Sequence, residues 1–261
     1  LWATHRSENV RQIVLDAHDL AVSNALGYLE ANAGHTRTGA GGLERVDTNG
    51  FIVAQFRHRT ARSTEPGVRV GDPQLHTHCA ILNRIHSVDG AWRTLDSKAI
   101  YRHAHTAGAL YGAVLERELT TRLGVDWVTP TDGHVPMREV VGVPDDVIAQ
   151  WSSRRRQVLQ TYDDRLVEFR STYGRSPTRD EIADMKDAAT IESRLPKAGG
   201  VGDLHTEWRN ALTNDQLAEI ETTIGRVEPT ATTGGRLAAD DAQLRAQVTG
   251  ALENRQAWWT R

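Results

Sequence analysis

The sequence predicts an α+β chain: a long amphipathic helix, a run of β-rich segments joined by short connections, and a second half that is mostly helical. Three observations carry that reading. Apolar residues recur at helical spacing over residues 7–33. Two runs dense in β-formers follow at 51–58 and 75–82, separated by Pro66, Gly67 and Gly71. From about residue 144 onward the pattern is helical almost throughout.

The elements follow in order. Val10, Ile13, Val14, Ala17, Leu20, Ala21 and Leu29 form the apolar stripe of the first helix, with Ser7 as N-cap and Gly34 as stop. Gly39–Gly42 is a loop. Phe51 to His58 is a strand, Arg62 to Asp72 a connection or hairpin end, and Leu75 to Leu82 the next strand, antiparallel to the first. Asp89-Gly90 marks a tight turn into a third strand at Trp92–Leu95. Asp96 or Ser97 caps a long helix running to Leu123, and extended pieces lie near Trp127 and Val135. Helices are expected at about 144–172, 178–194, 203–212 and 214–225, with candidate boundaries at Pro196–Gly202 and Gly234–Gly235.

Composition narrows the class. With 39% hydrophobic and 25% charged residues, the chain is an ordinary globular one rather than a disordered or collagen-like one. A single cysteine, Cys79, forms no internal bridge, which points to a reducing cytoplasm. No apolar run approaches the ~20 residues of a membrane helix. The start, Leu1 to Arg6, has neither an initiator methionine nor an apolar signal core, so a piece of a longer protein is expected. Net charge is −3, and no block is polybasic, so any nucleic-acid contact must be a local patch. Residues 54–86 hold five arginines against Glu65 and Asp72. Only Lys98, Lys186 and Lys197 are lysines; guanidinium forks suit phosphate, although a GC-rich genome gives the same bias.

One constellation stands out: His58, His76 and His78. Residues two apart on a strand share a face, at a spacing of about 6.5–7 Å. His76 and His78 therefore point one way and Thr77 the other. His58 follows Ile52, Ala54 and Phe56 on the face of its own strand that reads as apolar and buried. If the strands are neighbours, three imidazoles meet at one spot. Three neutral imidazoles can hold a divalent metal and leave positions open for substrate oxygen. The alternative is three ordinary histidines in a chain that has eleven. Ile81 and Leu82 stand where a cupin carries glutamate, and the His-Glu-x-x-His, Gly-x-x-x-x-Gly-Lys and Cys-x-x-Cys patterns are absent.

The words around these histidines are more specific than their spacing. Phe56 to Arg62, followed by Asp72-Pro73-Gln74-Leu75-His76-Thr77-His78, resembles the third motif of the TrwC/TraI-type conjugative relaxases, the MobF class of HUH endonucleases. Asp89-Gly90-Ala91-Trp92-Arg93-Thr94-Leu95 and the following helix with Tyr111 share the likeness, which covers residues 1 to about 210.

The resemblance implies an α+β palm, a mainly antiparallel sheet flanked by helices, followed by helical fingers that wrap single-stranded DNA. It places the palm at 1–142, fingers at 143–200 and a linker towards a helicase domain at 201–261, with Ala251–Arg261 similar to that domain's entry. It implies nicking of plasmid DNA at an origin of transfer, by a tyrosine that forms a 5′-phosphotyrosine, and partnership with type IV secretion coupling machinery. His58, His76 and His78 become the metal ligands and Arg62 a contact to the scissile phosphate. By ligand type three histidines suit Zn²⁺, Mn²⁺, Ni²⁺ or Co²⁺, and Mg²⁺ less well; with phosphate oxygens present, Mg²⁺ or Mn²⁺ is expected in function, with Zn²⁺, Ni²⁺ or Co²⁺ possible.

Two departures accompany the likeness. The His58–His76 interval of 18 residues is long, and Glu65–Gly71 looks like an insertion at a hairpin tip. The family's nucleophilic tyrosines would lie before Leu1, so an inactive fragment is expected; Tyr28, Tyr101, Tyr111, Tyr162 and Tyr173 are poorly placed to replace them. Other readings are a non-catalytic, metal-stabilised DNA-binding module or a degenerate gene remnant. In the helical half, Arg154 and Arg155 beside Arg156 form a candidate DNA-binding face, with Trp151 and Tyr162 to stack on bases. The competing view is a solvated basic face with Trp151 packed inside.

Overall fold

The computed structural model describes residues 1–64, 71–129, 138–195 and 202–228. The chain divides into two compact units.

The first comprises the described residues of Leu1–Phe56, Thr77–Gly142 and Glu221–Arg261. Helix α1, Glu8–Ala33, packs along helix α2, Ser97–Leu123. Small residues allow the close approach: Ala17, Ala21 and Ala33 are fully buried on α1, and Ala99, Ala107, Ala113 and Val114 are buried on α2. Burying Val114 alone stabilises the fold by about 2 kcal/mol. Polar rungs cross the same interface: Tyr28 Oη meets His103 Nδ1 at 2.9 Å, and Arg122 reaches Asp16 at 3.2 Å. Asp96 caps α2 as expected, its carboxylate accepting from the Lys98 N–H at 3.2 Å. Gly124 ends it at φ +63, and an added Cβ would collide with the Val227 carbonyl and lie 3.1 Å from Gly225 Cα. Glycine is thus required there for both conformation and space.

Three short strand pairs lie among the described residues of this unit. β1 (His35–Thr38) and β2 (Glu44–Asp47) form an antiparallel pair across a 3₁₀ turn at Ala40–Gly42, a hairpin not expected from the sequence, where 39–42 read simply as loop. Further on, β5 (Ile85–His86) and β6 (Trp92–Arg93) pair around the Asp89-Gly90 turn, with Gly90 at φ +87. A bridge between Thr48 and Ser87 lies beside them. The short pair β7 (Trp127–Val128) and β8 (Glu139–Val140) follows α2. Val135 lies outside the described residues.

β3 (Val53–Thr60) and β4 (Pro73–Ile81) form a two-stranded ribbon. The Leu82 N–H donates to the Ile52 carbonyl near one end and the Ala61 N–H to the Asp72 carbonyl at the other, so the strands run antiparallel. Nine steps on one strand match ten on the other, the mark of one bulged residue. The architecture is α+β with antiparallel pairing, and among the described residues the β structure is four two-stranded pieces rather than one broad sheet.

The second unit comprises the described residues of Arg57–His76 and Val143–Ile220. The helix expected at 144–172 is two: α3, Asp145–Gln150, and α4, Ser153–Tyr173. No proline or glycine marks the break. At the break the Asp72 carboxylate accepts from the Ser153 N–H at 2.8 Å and so caps α4 from a distant part of the chain. α5, Arg179–Glu192, starts with a full capping box, Thr178 and Glu181 bonding each other's backbone N–H. α6 (Leu204–Asn210) and α7 (Asn214–Glu221) are the last helices among the described residues. Val147, Leu212 and Ile220 form a core here, with Trp151 and Leu217 against it. The boundaries expected at 196–202 and 234–235 fall, except for Gly202, outside the described residues.

Candidate metal centre and nucleic-acid contacts

The ribbon brings the three predicted histidines together. His58 comes from β3, and His76 and His78 from β4. One candidate ligand atom from each lies within 4.8 Å of the other two. The His58 and His76 rings meet edge to face, with centroids 5.2 Å apart and planes at 86°. Nitrogens sharing one ion at ~2.1 Å stand roughly 3.0–3.4 Å apart, a closure within reach of side-chain rotation. His76 is already oriented: its Nδ1–H donates to the Gln74 carbonyl at 3.0 Å, which leaves Nε2 with the lone pair a metal needs. The donor set and its spacing therefore fit a divalent cation.

The surroundings differ from expectation in one respect. The face with Ile52, Ala54, Phe56 and His58 reads from sequence as buried, yet Ile52 and Phe56 are more than half exposed. Apolar alternation alone does not say which face a core covers. The covered side of β4 is the other one. There Thr77 Oγ1 lies 2.8 Å from His18 Nε2, and His18 Nδ1 lies 2.8 Å from Tyr111 Oη. His18 is only 2% exposed. Its role is not visible in sequence, because a histidine among the apolar positions of a helix reads as core.

Arg62 follows β3, and its guanidinium donates to the Leu195 carbonyl at 2.7 Å. Arg154 is tied down more fully. It donates to the carbonyls of Thr190 and Ser193, at 2.7 and 2.6 Å, to the Ser193 hydroxyl and to Gln157, so it closes the C-terminal end of α5. Burial, and then the nearby charges of Arg62 and Arg194, hold the Arg154 pKa below its ordinary value. The charges of Arg62 and Arg194 thus both reach Arg154. Arg155, by contrast, is exposed. Trp151 packs on the core around Val147 rather than standing out as a stacking platform. Tyr162 lies under the Lys186 ammonium, 5.6 Å from the ring centre.

No described helix is long and apolar enough to cross a membrane. A model of the TrwC relaxase family matches residues 1–214. Two Escherichia coli proteins called multifunctional conjugation protein TraI are similar: one is 30% identical over 152 residues, 56% of this chain. The other, from strain K12, is 26% identical over 252 residues, 92% of this chain. The chain spans 8% and 13% of their lengths. The metal-bound structure of conjugative relaxase TrwC with OriT DNA aligns at a TM-score of 0.59 and 30% identity, covering 76% of this chain and 62% of that one. With more than three quarters of its length matched by the family model and its three-histidine ribbon in place, the chain belongs to the TrwC relaxase family.

Proposed function

We propose that this chain is the metal-holding, DNA-binding core of a conjugative relaxase, acting in the cytoplasm on single-stranded DNA at a plasmid transfer origin. Residues 1–142 are the palm, 143–200 the fingers, and 201–261 lead onward. The observation that carries this is the convergence of His58, His76 and His78 on an accessible ribbon face. These side chains hold one divalent ion, Mg²⁺ or Mn²⁺ in function. When bound, the ion acts as a Lewis acid on a phosphoryl oxygen. Arg62 contacts a DNA phosphate with its guanidinium fork; an anion there would also offset the unfavourable charge that Arg62 and Arg194 impose on Arg154. Arg155 adds a phosphate contact from α4.

Nicking in this family's chemistry moves a phosphodiester from a 3′ oxygen to a tyrosine oxygen: the O–P bond to tyrosine forms as the bond to the leaving 3′ oxygen breaks. None of the five tyrosines lies on the histidine ribbon, and four of them are engaged elsewhere. Tyr28 and Tyr111 use their hydroxyls between α1 and α2. Tyr162 sits beneath Lys186, and Tyr173 stacks on Phe169 at 4.6 Å between centroids. Tyr101 stands exposed on the first turns of α2. The reading is therefore binding and metal retention by residues 1–261, without efficient nicking.

The test compares this chain with its His76→Ala/His78→Ala variant. The expected result is near-stoichiometric Mn²⁺ uptake that the variant loses, single-stranded DNA binding that weakens with salt, and no cleaved strand. Absence of Mn²⁺ uptake would overturn the metal reading, and efficient cleavage would show that one of the five tyrosines serves.

A further inference from the structure

We infer that His18 is a positioning residue for the histidine ribbon, acting through Thr77; the inference rests on the metal reading proposed above. The two ligands on β4 bracket Thr77 in sequence, so strand alternation directs Thr77 to the opposite face from His76 and His78. A strand held at that one side chain cannot roll about its own axis. Its two histidines are then presented at a fixed angle.

The hold on Thr77 is specific. His18 comes from the middle of α1 and bonds hydroxyls with both ring nitrogens, Thr77 Oγ1 and Tyr111 Oη, each at 2.8 Å. The His18 and Tyr111 rings meet nearly edge-on, at 79° with centroids 5.7 Å apart. A neutral imidazole has one N–H and one lone pair, and a hydroxyl can donate or accept, so both bonds form with either tautomer. The series Tyr111–His18–Thr77 thus ties Thr77 of β4 to both long helices of the first unit. A histidine there for packing alone would leave at least one nitrogen without a side-chain partner. Groups behind a metal's ligands commonly set its affinity tenfold or more, because they remove the freedom the ligands would otherwise lose on binding.

Co²⁺ is the probe, since its visible absorption reports both occupancy and ligand geometry. Thr77→Val keeps the side-chain shape and removes the hydroxyl. It should weaken Co²⁺ binding about tenfold and alter the absorption envelope. Thr77→Ser, which restores the hydroxyl, should return both to the wild-type range. Tyr111→Phe loosens His18 without touching the ribbon and should weaken binding by a smaller, few-fold step. Wild-type Co²⁺ affinity in Thr77→Val, or a Thr77→Ser as weak as Thr77→Val, would overturn the assignment. If Thr77→Val does not fold, Tyr111→Phe decides by the same measure, an unchanged affinity counting against it. A wild-type chain that takes up no Co²⁺ would instead bring down the metal reading, and this inference with it.

Discussion

The histidine ribbon and the basic helix α4 both look functional in sequence, and the structure treats them differently. On the ribbon, the predicted residues converge and their face is accessible. On α4, Arg154 spends its donors on the end of α5, and Trp151 is taken up by a core. A motif of spaced ligands has one geometric solution on a strand pair, so its sequence is diagnostic. A cluster of arginines has many uses, and closing a helix end is as good a use as gripping a phosphate.

The widest gap between the two regions should appear on removing a candidate ligand. His58→Ala should lower Mn²⁺ affinity by more than the ~100-fold that supporting groups command, while leaving thermal stability nearly unchanged. Calorimetric titration beside a thermal melt checks both halves. On α4 the order reverses for Arg154→Ala: it should cost about 2 kcal/mol of stability, since several carbonyls lose a charged donor. A denaturant curve that does not shift would show that Arg154 is available for DNA after all. Arg155→Ala should leave stability within about 0.5 kcal/mol and lower the salt slope of single-stranded DNA binding by roughly one unit. An unchanged slope would remove Arg155 from the interface.

The smallest effect concerns pH and the buried histidines apart from the ribbon. Burial first, with Arg45 next, lowers the His35 pKa from 6.5; burial likewise lowers that of His5. The folded state then binds fewer protons than the unfolded one, so stability is full above 6.5 and falls as pH drops below it. Asp96, held low chiefly by its bond to Arg37, adds loss in the same direction at more acid pH. The metal-free chain should therefore melt earlier at pH 5.5 than at pH 7.5, and His35→Phe should flatten part of that slope.

Long, periodic or capped elements were legible: α1, α2 with its Asp96 cap, the ribbon strands and the Asp89-Gly90 turn all lie where pattern and turn chemistry place them. The hairpin of β1 and β2 was not, because His35–Thr38 and Glu44–Asp47 are short and lack apolar alternation. The break between α3 and α4 was not, because the carboxylate that caps α4 there, Asp72, lies some eighty residues away. For the same reason the partners of His18 escaped notice; both come from elements distant in sequence.

Asp72 has a consequence beyond capping a helix. The return of the hairpin is moored on both sides of that residue: Gly71 accepts from the Trp208 indole at 3.1 Å, and the Asp72 carbonyl accepts from Ala61. The start of β4 is thus anchored from α4 and from Trp208 as well as by its own ladder, so fraying of the strand ends would not by itself let His76 slip past His58.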